Sequence, residues 1–436
     1  MLPQSEIQSV AEALAATFLA GEFAPGPMVR RAGKHYAKSW SGLEPLCQRL
    51  AEAFGPSTRP AQRDLIAAIS GDQALIRWLR AGGMAKFRTD IGTRPTMRGA
   101  KGNPSRWNLP EITSSSELSR WLNLTQPELE WFAHPWGKAP GPQHHYRYHW
   151  LEKRRGGHRL IEQPKKALKL LQQRILKHIL DQIPPHGAVH SFRTGRNVIS
   201  YAQPHCDRPV LLRLDIADFF PSLHVGRVRA LFRTAGYPDA VANLLADLCC
   251  HATPATTLTD APTALNWSQM KRLRSPHLPQ GAPTSPALSN LLAYRLDCRL
   301  AGLARAIGAR YTRYADDLAF SGDRSVAKIA PRVGAILIEQ GFSPNHRKTR
   351  LQRRGSRQRL GGTIVNSPRP NFERSEFDQL KAILHNCVQN GPQAEDRQQL
   401  GSAGLRAKLR GKISWVQSLN PQRAEKLERL FEQISW

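Results

Sequence analysis

Two adjacent aspartates, Asp316 and Asp317, sit in the middle of the otherwise strand-like run Arg310–Asp323, RYTRYADDLAFSGD. A second run, LLRLDIADFFPSL, is an apolar strand from Leu211 to Ile216 that carries Asp215 near its end, followed by Asp218 and the pair Phe219–Phe220. A carboxylate at a strand end and a carboxylate pair on a hairpin tip can converge on one point, where three packed carboxylates repel one another strongly at neutral pH. Divalent metal relieves that repulsion, because hard oxygen ligands hold Mg²⁺ together with substrate phosphates. Two such ions about 4 Å apart would activate an attacking hydroxyl and stabilise the leaving oxygen of an in-line phosphoryl displacement. The plainer reading of an Asp-Asp turn is local backbone satisfaction. A third segment lies between the other two in the chain, HLPQGAPTSPALSNLLAYRLD. There Gln280 and Gly281 precede a helix opened by Ser285–Pro286, and the small Gly281 and Ala282 leave the backbone open to a ligand. A loop and a helix explain its Pro and Gly; they do not explain the joint order of all three segments.

A chain of 436 residues is expected to form two or three domains. Its 63 Lys and Arg against 34 Asp and Glu leave a net charge of +29, which calls for a polyanionic partner, nucleic acid before an anionic membrane surface. No run approaches the roughly 18 apolar residues of a spanning helix. The N-terminus places Val10, Leu14, Phe18 and Leu19 at helical spacing beside Glu6 and Glu12, so it reads as a soluble helix and not a signal peptide. Six cysteines in no paired spacing read as reduced thiols of a cytoplasmic protein.

Along the chain, residues 1 to about 80 alternate helical patterns with short breaks, and residues 86–107 shift to Gly, Pro and six basic residues with one acid, a linker or surface arm. Ser114 with Glu117, and Thr125 with Glu128, have capping-box spacing and predict two short helices, with Trp121, Leu122, Leu129, Trp131 and Phe132 as their buried faces. A short strand before Pro164 is followed by a helix with Leu168, Leu171, Ile175, Ile179 and Ile183 on one side. Then come a strand from Val210 to Ile216, helices to about Cys250, a Pro-rich loop into a helix spanning 279–300, two strands flanking the Asp-Asp turn, and a helix from Val326 to Gln340. The end, from Phe372 to Trp436, reads as helical. Short hairpin-like strands alternating with helices predict an α+β class.

Taken together, LRLDIADFF, LPQGAPTSPALSN, YTRYADDLAFSG, GFSPNHRKTRL and RLGGTIVN resemble the palm motifs of reverse transcriptases, in the same order, with Tyr-Ala-Asp-Asp at 314–317 as that family's signature. RLIEQPKKALKLLQQRIL and HSFRTGRNV are similar to its fingers motifs. The resemblance runs from about Tyr148 to Trp436. Within the family the chain looks most like the bacterial retron enzymes, with two departures. Their Asn-Ala-x-x-His reads Tyr201-Ala202-Gln203-Pro204-His205 here, and their Val-Thr-Gly reads Leu360-Gly361-Gly362.

The resemblance implies a right-hand polymerase. It would have an N-terminal helical extension (1–110), pre-fingers helices and fingers (111–210), a catalytic palm (211–366) and a helical, template-binding thumb (367–436). It implies catalytic and metal-binding roles for Asp215, Asp316 and Asp317, with Asp215 and Asp316 the more direct ligands of two Mg²⁺ ions, or of Mn²⁺. Phe220 would gate against the ribose 2′-hydroxyl, and Gln280 and Gly281 would line the nascent base pair. Arg159 and Arg155 would grip the triphosphate, for which a planar guanidinium is suited, with a surface salt bridge as the rival for Arg159. Lys348 would sit near the leaving pyrophosphate, and His205, Gly362 and Asn366 would bear on RNA recognition. The implied activity is RNA-directed DNA synthesis on a structured non-coding RNA, primed from an RNA 2′-hydroxyl, giving RNA-linked single-stranded DNA in antiphage defence. The implied partners are that RNA, the DNA product, deoxynucleotides and an effector protein, with no membrane. Two alternatives stand beside it: another bacterial reverse transcriptase without a branched product, and a non-catalytic RNA-binding protein.

Overall fold

The computed structural model describes residues 3–19, 23–33, 40–55, 60–83, 97, 107–133, 145–153, 156–396 and 398–436. Nearly all of the expected basic linker at 86–107, and Arg155, lie outside the described residues. The described chain mixes helices with short sheets and divides into two compact units, one from residues 1–184 and 220–292, the other from 185–219 and 293–436.

The first unit begins with five helices, Gln4–Leu19, Pro25–Ala32, Leu43–Phe54, Gln62–Ser70 and Gln73–Arg80. The i, i+4 series Val10, Leu14, Phe18 is fully buried and meets Met28, Leu46, Leu65, Ile69 and Leu75 in a core of its own. Helices Ser115–Leu122 and Gln126–Phe132 start where capping predicts. Thr125 and Glu128 close a reciprocal box, whereas the Glu117 carboxylate reaches past Ser114 to the Thr113 N–H at 2.7 Å. Their buried faces are narrower than expected: Leu122 and Leu129 are buried, Trp121 is half-buried and Trp131 is 47% exposed. Helices of eight and seven residues turn too few side chains inward to cover two indoles as well as the leucines.

An antiparallel hairpin follows, β1 (Tyr146–Glu152) and β2 (His158–Pro164), with Trp150 opposite Leu160 and Tyr148 opposite Glu162 on its inner face. The helix Lys166–His178 then buries Leu168, Leu171 and Ile175 of the predicted stripe, while Ile179 and Ile183 lie beyond its end and are buried there. Two short helices that the sequence reading passed over, Ala255–Thr259 and Trp267–Arg274, cover the hairpin's inner face through Leu258, Leu265, Met270 and Leu273. The predicted single helix at 279–300 is two, Ser285–Leu292 and Tyr294–Ala306, broken at Ala293, whose backbone leaves the helical well at ψ 4°.

β2 is fastened to the loop before the first of these helices. The Glu162 N–H donates to the Gln280 carbonyl at 2.9 Å, and a Cβ on Gly281 would stand 2.8 Å from the Glu162 carbonyl oxygen, at φ +138°. That position demands glycine. The Glu162 side chain is buried and accepts from Thr253 Oγ1 at 2.7 Å and from His277 Nε2 at 2.9 Å, while His277 Nδ1 lies 2.7 Å from the Ser275 carbonyl. With an acceptor on each ring nitrogen, His277 satisfies both only as the doubly protonated imidazolium. Burial pushes its pKa down, but the Glu162 carboxylate more than offsets this and holds it above the ordinary 6.5. Burial likewise pushes Glu162 up, and His277 above all holds it below 4.5.

The second unit is built around a five-stranded sheet. Its centre is β3 (Val210–Ala217), buried on both faces except at Arg213 and Ala217. β4 (Arg310–Tyr314) and β5 (Asp317–Gly322) form a hairpin that pairs through β5 with one side of β3, and β6 (Ser343–Pro344) and β7 (Arg350–Arg353) pair with the other. The helix expected from Val326 starts at Ala330, because Pro331 suits a first turn and not an interior. A short pair, β8 (Arg359–Leu360) and β9 (Thr363–Ile364), leads to the helices Arg374–Asn390, Gly401–Leu419 and Pro421–Glu432, which share a separate core of Leu384, Leu409, Ile413, Leu427 and Phe431. Trp436 packs against that core, its ring 5.1 Å from Phe431.

The Glu162–His277 pair makes stability depend on pH in a definite direction. Glu162, lowered on folding, contributes above its unfolded value of 4.5, and His277, raised, contributes fully below its unfolded 6.5 and loses this as pH rises through its folded value. Glu162→Gln should therefore reduce stability by about 1–3 kcal/mol between those values, with a smaller deficit at alkaline pH. Urea unfolding at pH 5.5 and pH 9 checks this; a deficit equal at both pH values would exclude the charged pair.

Candidate active site

Strand register sets the site. Asp215 pairs directly with Asp317 across β3 and β5, so their side chains leave the same face of the sheet. Like charges in that position destabilise a sheet, and each has a cation on it. Arg213, two residues before Asp215 and hence on the same face, reaches diagonally past the small Ala319 to clasp both Asp317 oxygens, with its Nη2 2.8 Å from Oδ1 and 2.7 Å from Oδ2. Lys348 Nζ donates to Asp215 Oδ2 at 2.8 Å, and Asn345 Nδ2 to Asp215 Oδ1 at 2.9 Å. The Asn345 N–H also donates to the Asp215 carbonyl at 2.8 Å, which fixes the β6–β7 turn on the strand end.

Asp316 lies on the two-residue tip, because Tyr314 and Asp317 are the last paired residues of the β4–β5 hairpin. The other tip residue, Ala315, has φ +54°, a left-handed conformation usually given to Gly and costing an alanine about 1 kcal/mol. Its surroundings hold it there. Ser191 Oγ accepts from the Ala315 N–H at 2.7 Å, Arg313 Nη1 donates to its carbonyl at 3.2 Å, and the Ile216 N–H donates to the Asp316 carbonyl at 2.9 Å. Arg313 is in turn fully buried in a forked ion pair with Asp297 at 2.8 and 2.7 Å. The tip is thus braced from the strand, from the preceding loop and from the helix Tyr294–Ala306.

Burial first, then the Asp215 and Asp317 charges, pushes the Asp316 carboxyl up to about 6. Asp317 is also raised by burial, though the Arg213 guanidinium opposes this. The cluster therefore carries more negative charge than its resident cations neutralise. Among the described residues, no three His, Cys, Asp or Glu side chains are gathered as a ready metal cage. The donor set nonetheless fits a hard divalent ion, because hard carboxylate oxygens are grouped where added positive charge relieves repulsion. Both Asp317 oxygens are held by Arg213 and both Asp215 oxygens by Lys348 and Asn345, which leaves Asp316, on the tip, as the carboxylate that added positive charge relieves most.

The other predicted residues are placed as follows. Asp215, Asp316, Asp317 and Lys348 come together in one unit, while Arg159, Phe220, Gln280 and Gly281 belong to the other. Arg159 is exposed on the outer face of β2, Phe220 and Gln280 are half-buried, and Phe219 is buried with its ring 5.8 Å from Phe342. His205 is fully buried between Ser321 Oγ and Thr312 Oγ1, each at 2.7 Å, and burial pushes its pKa down to about 3, so it is a neutral brace of β4 and β5. Asn366 spends its amide on its own loop, accepting from the Gln358 N–H and donating to the Arg354 and Ser356 carbonyls. Gly362 is exposed at φ +81°. The two departures from the retron pattern share one cluster: Tyr201 and Leu360 pack in it, and a Cβ on Gly361 would meet Val198 at 2.6 Å and Tyr201 at 3.3 Å. The small Gly361 fits beneath Val198, with Tyr201 as the next neighbour.

Arg213, Asn345, Ser191 and the Arg313–Asp297 pair escaped the sequence reading. Arg213 had a signal, a lone basic residue in phase with Asp215 on an apolar strand. Ser191 had none, since its bond with Ala315 spans 124 residues.

The reverse transcriptase (RNA-dependent DNA polymerase) family matches residues 151–377. The chain is 41% identical over 288 residues to the retron Mx65 reverse transcriptase of Myxococcus xanthus, covering 65% of this chain and 64% of the relative. It is 35% identical over 304 residues to the retron Mx162 reverse transcriptase of the same organism, 66% and 61%. It is 31% identical over 244 residues to the retron Ec86 reverse transcriptase of Escherichia coli, 55% and 69%. The chain thus spans just under two thirds of the length of the two Myxococcus relatives.

The bracing of the tip yields a paired expectation in chemical denaturation. Ser191→Ala orphans the buried Ala315 N–H and should cost about 1–3 kcal/mol. Ala315→Gly removes the left-handed penalty and should hold or raise stability by up to about 1 kcal/mol. A marked loss in the glycine variant would show that the tip is not strained.

Proposed function

The chain belongs to the reverse transcriptase (RNA-dependent DNA polymerase) family, in its bacterial retron-type branch, and from that membership we propose that it is an RNA-directed DNA polymerase. The observation that carries the proposal is the facing pair Asp215 and Asp317 with Asp316 on the adjoining tip, inside the matched region. On this reading the five-stranded sheet is the palm, the β1–β2 hairpin belongs to the fingers and the three C-terminal helices form the thumb. The N-terminal helical body precedes them, and an effector protein of the same locus is a candidate partner for it.

Asp215 and Asp316 would hold Mg²⁺ or Mn²⁺ as two ions, with Asp317 contributing charge while Arg213 orients it. Bound there, the ions supply Lewis-acid stabilisation of the phosphoryl oxygens and a lowered pKa for the attacking hydroxyl. The chain's own side chains do the remaining work. Lys348, a cation already on Asp215, would turn to the negative charge of the departing pyrophosphate. Phe220 would exclude a ribose 2′-hydroxyl sterically, Gln280 and Gly281 would present backbone to the nascent base pair, and Arg159, with Arg155, would grip the triphosphate. Lys and Arg along the C-terminal helices would follow the template backbone, so that binding weakens steeply with salt.

The substrate is proposed to be a structured non-coding RNA, with deoxynucleotides added from one of its 2′-hydroxyls to give RNA-linked single-stranded DNA for antiphage defence. A bacterial reverse transcriptase that makes no branched product is the second reading, favoured by the altered Tyr201–His205 and Leu360–Gly362 signatures; on the first reading His205, Gly362 and Asn366 would bear on RNA recognition. Co-purified nucleic acid distinguishes the two. With its flanking DNA, the wild type should yield a discrete RNase-resistant DNA joined to one RNA, absent from an Asp316→Asn, Asp317→Asn variant. DNA without linked RNA would favour the second reading, and RNA without DNA in both samples would remove the polymerase.

Two substitutions sharpen the assignment of roles. Asp215→Asn or Asp316→Asn should lower deoxynucleotide incorporation on the order of a thousandfold, with Asp317→Asn less severe. Phe220→Ala should admit ribonucleotides in the same primer-extension assay; unchanged sugar discrimination would remove the gate from that residue.

A further inference from the structure

Trp267 is 74% exposed, the most exposed of the large hydrophobic side chains among the described residues. It opens the helix Trp267–Arg274, whose start is fixed by a reciprocal capping box between Asn266 and Gln269. Burial does not explain the indole. The anchoring of this helix falls to Leu265, Met270 and Leu273, which pack with Tyr148, Trp150 and Leu160 of the β1–β2 hairpin. Turned away from that anchor, Trp267, Lys271 and Arg274 follow at i, i+4 and i+7 along one face, and all three are exposed. Lys271 Nζ stands 4.8 Å from the centre of the Trp267 ring, a cation–π contact that steadies the indole and puts a positive charge beside it. From Ala255 to Ser275 the chain carries three basic residues, Lys271, Arg272 and Arg274, against one acid, Asp260.

A steadied, solvent-facing indole with cations beside it suits a partner that offers flat π-faces and negative charge together. An unpaired nucleic-acid strand does so, since every base has a π-face and every linkage a phosphate. A duplex does not, because its base faces are stacked on one another. We infer that Trp267, Lys271 and Arg274 form a stacking platform for unpaired RNA, Trp267 meeting a base while Lys271 and Arg274 take the flanking phosphates. The assignment of that RNA to the template strand before copying rests on the polymerase reading and on the mounting of the platform on the β1–β2 hairpin. That hairpin is fastened to the Gln280–Gly281 loop, with the Glu162 N–H on the Gln280 carbonyl at 2.9 Å.

The test uses the full chain and a labelled oligoadenylate RNA, with binding followed by fluorescence anisotropy across a salt series. Trp267→Ala should weaken binding roughly tenfold, the loss of one stacked base, without changing the salt slope, because no charge is removed. Trp267→Phe should restore most of it. Lys271→Gln with Arg274→Gln should instead flatten the slope by about 0.7 for each phosphate that is no longer neutralised. Wild-type affinity in Trp267→Ala, or an equal loss on duplex RNA, would overturn the platform, and a loss confined to the matching oligodeoxyadenylate would overturn the choice of RNA. Deoxynucleotide addition by the wild type to a preformed primer–template is measured alongside. Its absence, with the Trp267 dependence intact, would remove the template role and the polymerase reading while leaving an RNA platform.

Discussion

The pairing of Asp215 with Asp317 is the constraint to which the surrounding structure answers. Antiparallel register puts the two carboxylates side by side on one face, where like charges repel. Arg213 and Lys348 are the local answer, each at hydrogen-bond distance from one carboxylate. Both cations come from positions that the same backbone geometry dictates. Arg213 shares the sheet face of Asp215 by the two-residue period, and Lys348 is delivered by the turn that the Asn345 N–H ties to the Asp215 carbonyl. Asp316, on the tip, has no ion pair of that kind among the described residues and is the carboxyl whose pKa burial lifts to about 6. The site combines two compensated carboxylates with one under-compensated carboxylate, an arrangement that additional positive charge stabilises.

A second requirement is that the tip carrying Asp316 stay in place under the repulsion of the neighbouring carboxylates. Strain at Ala315 would by itself favour relaxation, and the structure opposes it with bonds from three separate stretches of chain, at Ser191, Arg313 and Ile216. The buried Arg313–Asp297 fork extends the bracing to a helix. A buried ion pair adds little net stability compared with apolar packing, but leaving one partner alone is costly. Such a pair therefore fixes where a strand lies more effectively than it strengthens the fold. In the same way Glu162 and His277 fix β2 on the Gln280–Gly281 loop of the other unit.

Much of this was legible in the sequence because it is local or periodic. The hairpin around Asp316, the strand ending at Asp215, the capping of the helices after Ser114 and Thr125 and the buried stripe of Leu168, Leu171 and Ile175 all follow from spacing. The break at Ala293 and the helix Trp267–Arg274 did not, since the first has no Gly or Pro to mark it and the second is too short for its period to stand out. Ser191, Asp297 and Asn345 were illegible for a different reason. Each is an ordinary polar residue whose role is created by a partner distant in the chain. The two altered signatures are instructive in the same sense: read along the chain, Tyr201 and Gly361 are unrelated departures, yet in the fold they lie beside one cluster, where Val198 first and Tyr201 next crowd out a side chain on Gly361.

The net charge of +29 acquires a more specific meaning once the buried charges are accounted for. Arg313 is matched by Asp297, His277 by Glu162 and the part-buried Arg229 by Asp247 at 2.9 Å. In each of these three pairs one cation faces one acid, so the pairs leave the surplus of Lys and Arg to the rest of the chain. The residues Met1–Gly83 carry nine Lys and Arg against seven Asp and Glu, so most of that surplus belongs to the chain beyond the N-terminal helical body. Long-range attraction of a polyanion therefore originates mainly in the part of the chain that contains the matched family region and the C-terminal helices. The near-neutral N-terminal body, whose apolar stripes already meet in a core of their own, is suited to a task in which nucleic-acid attraction is not the driving force.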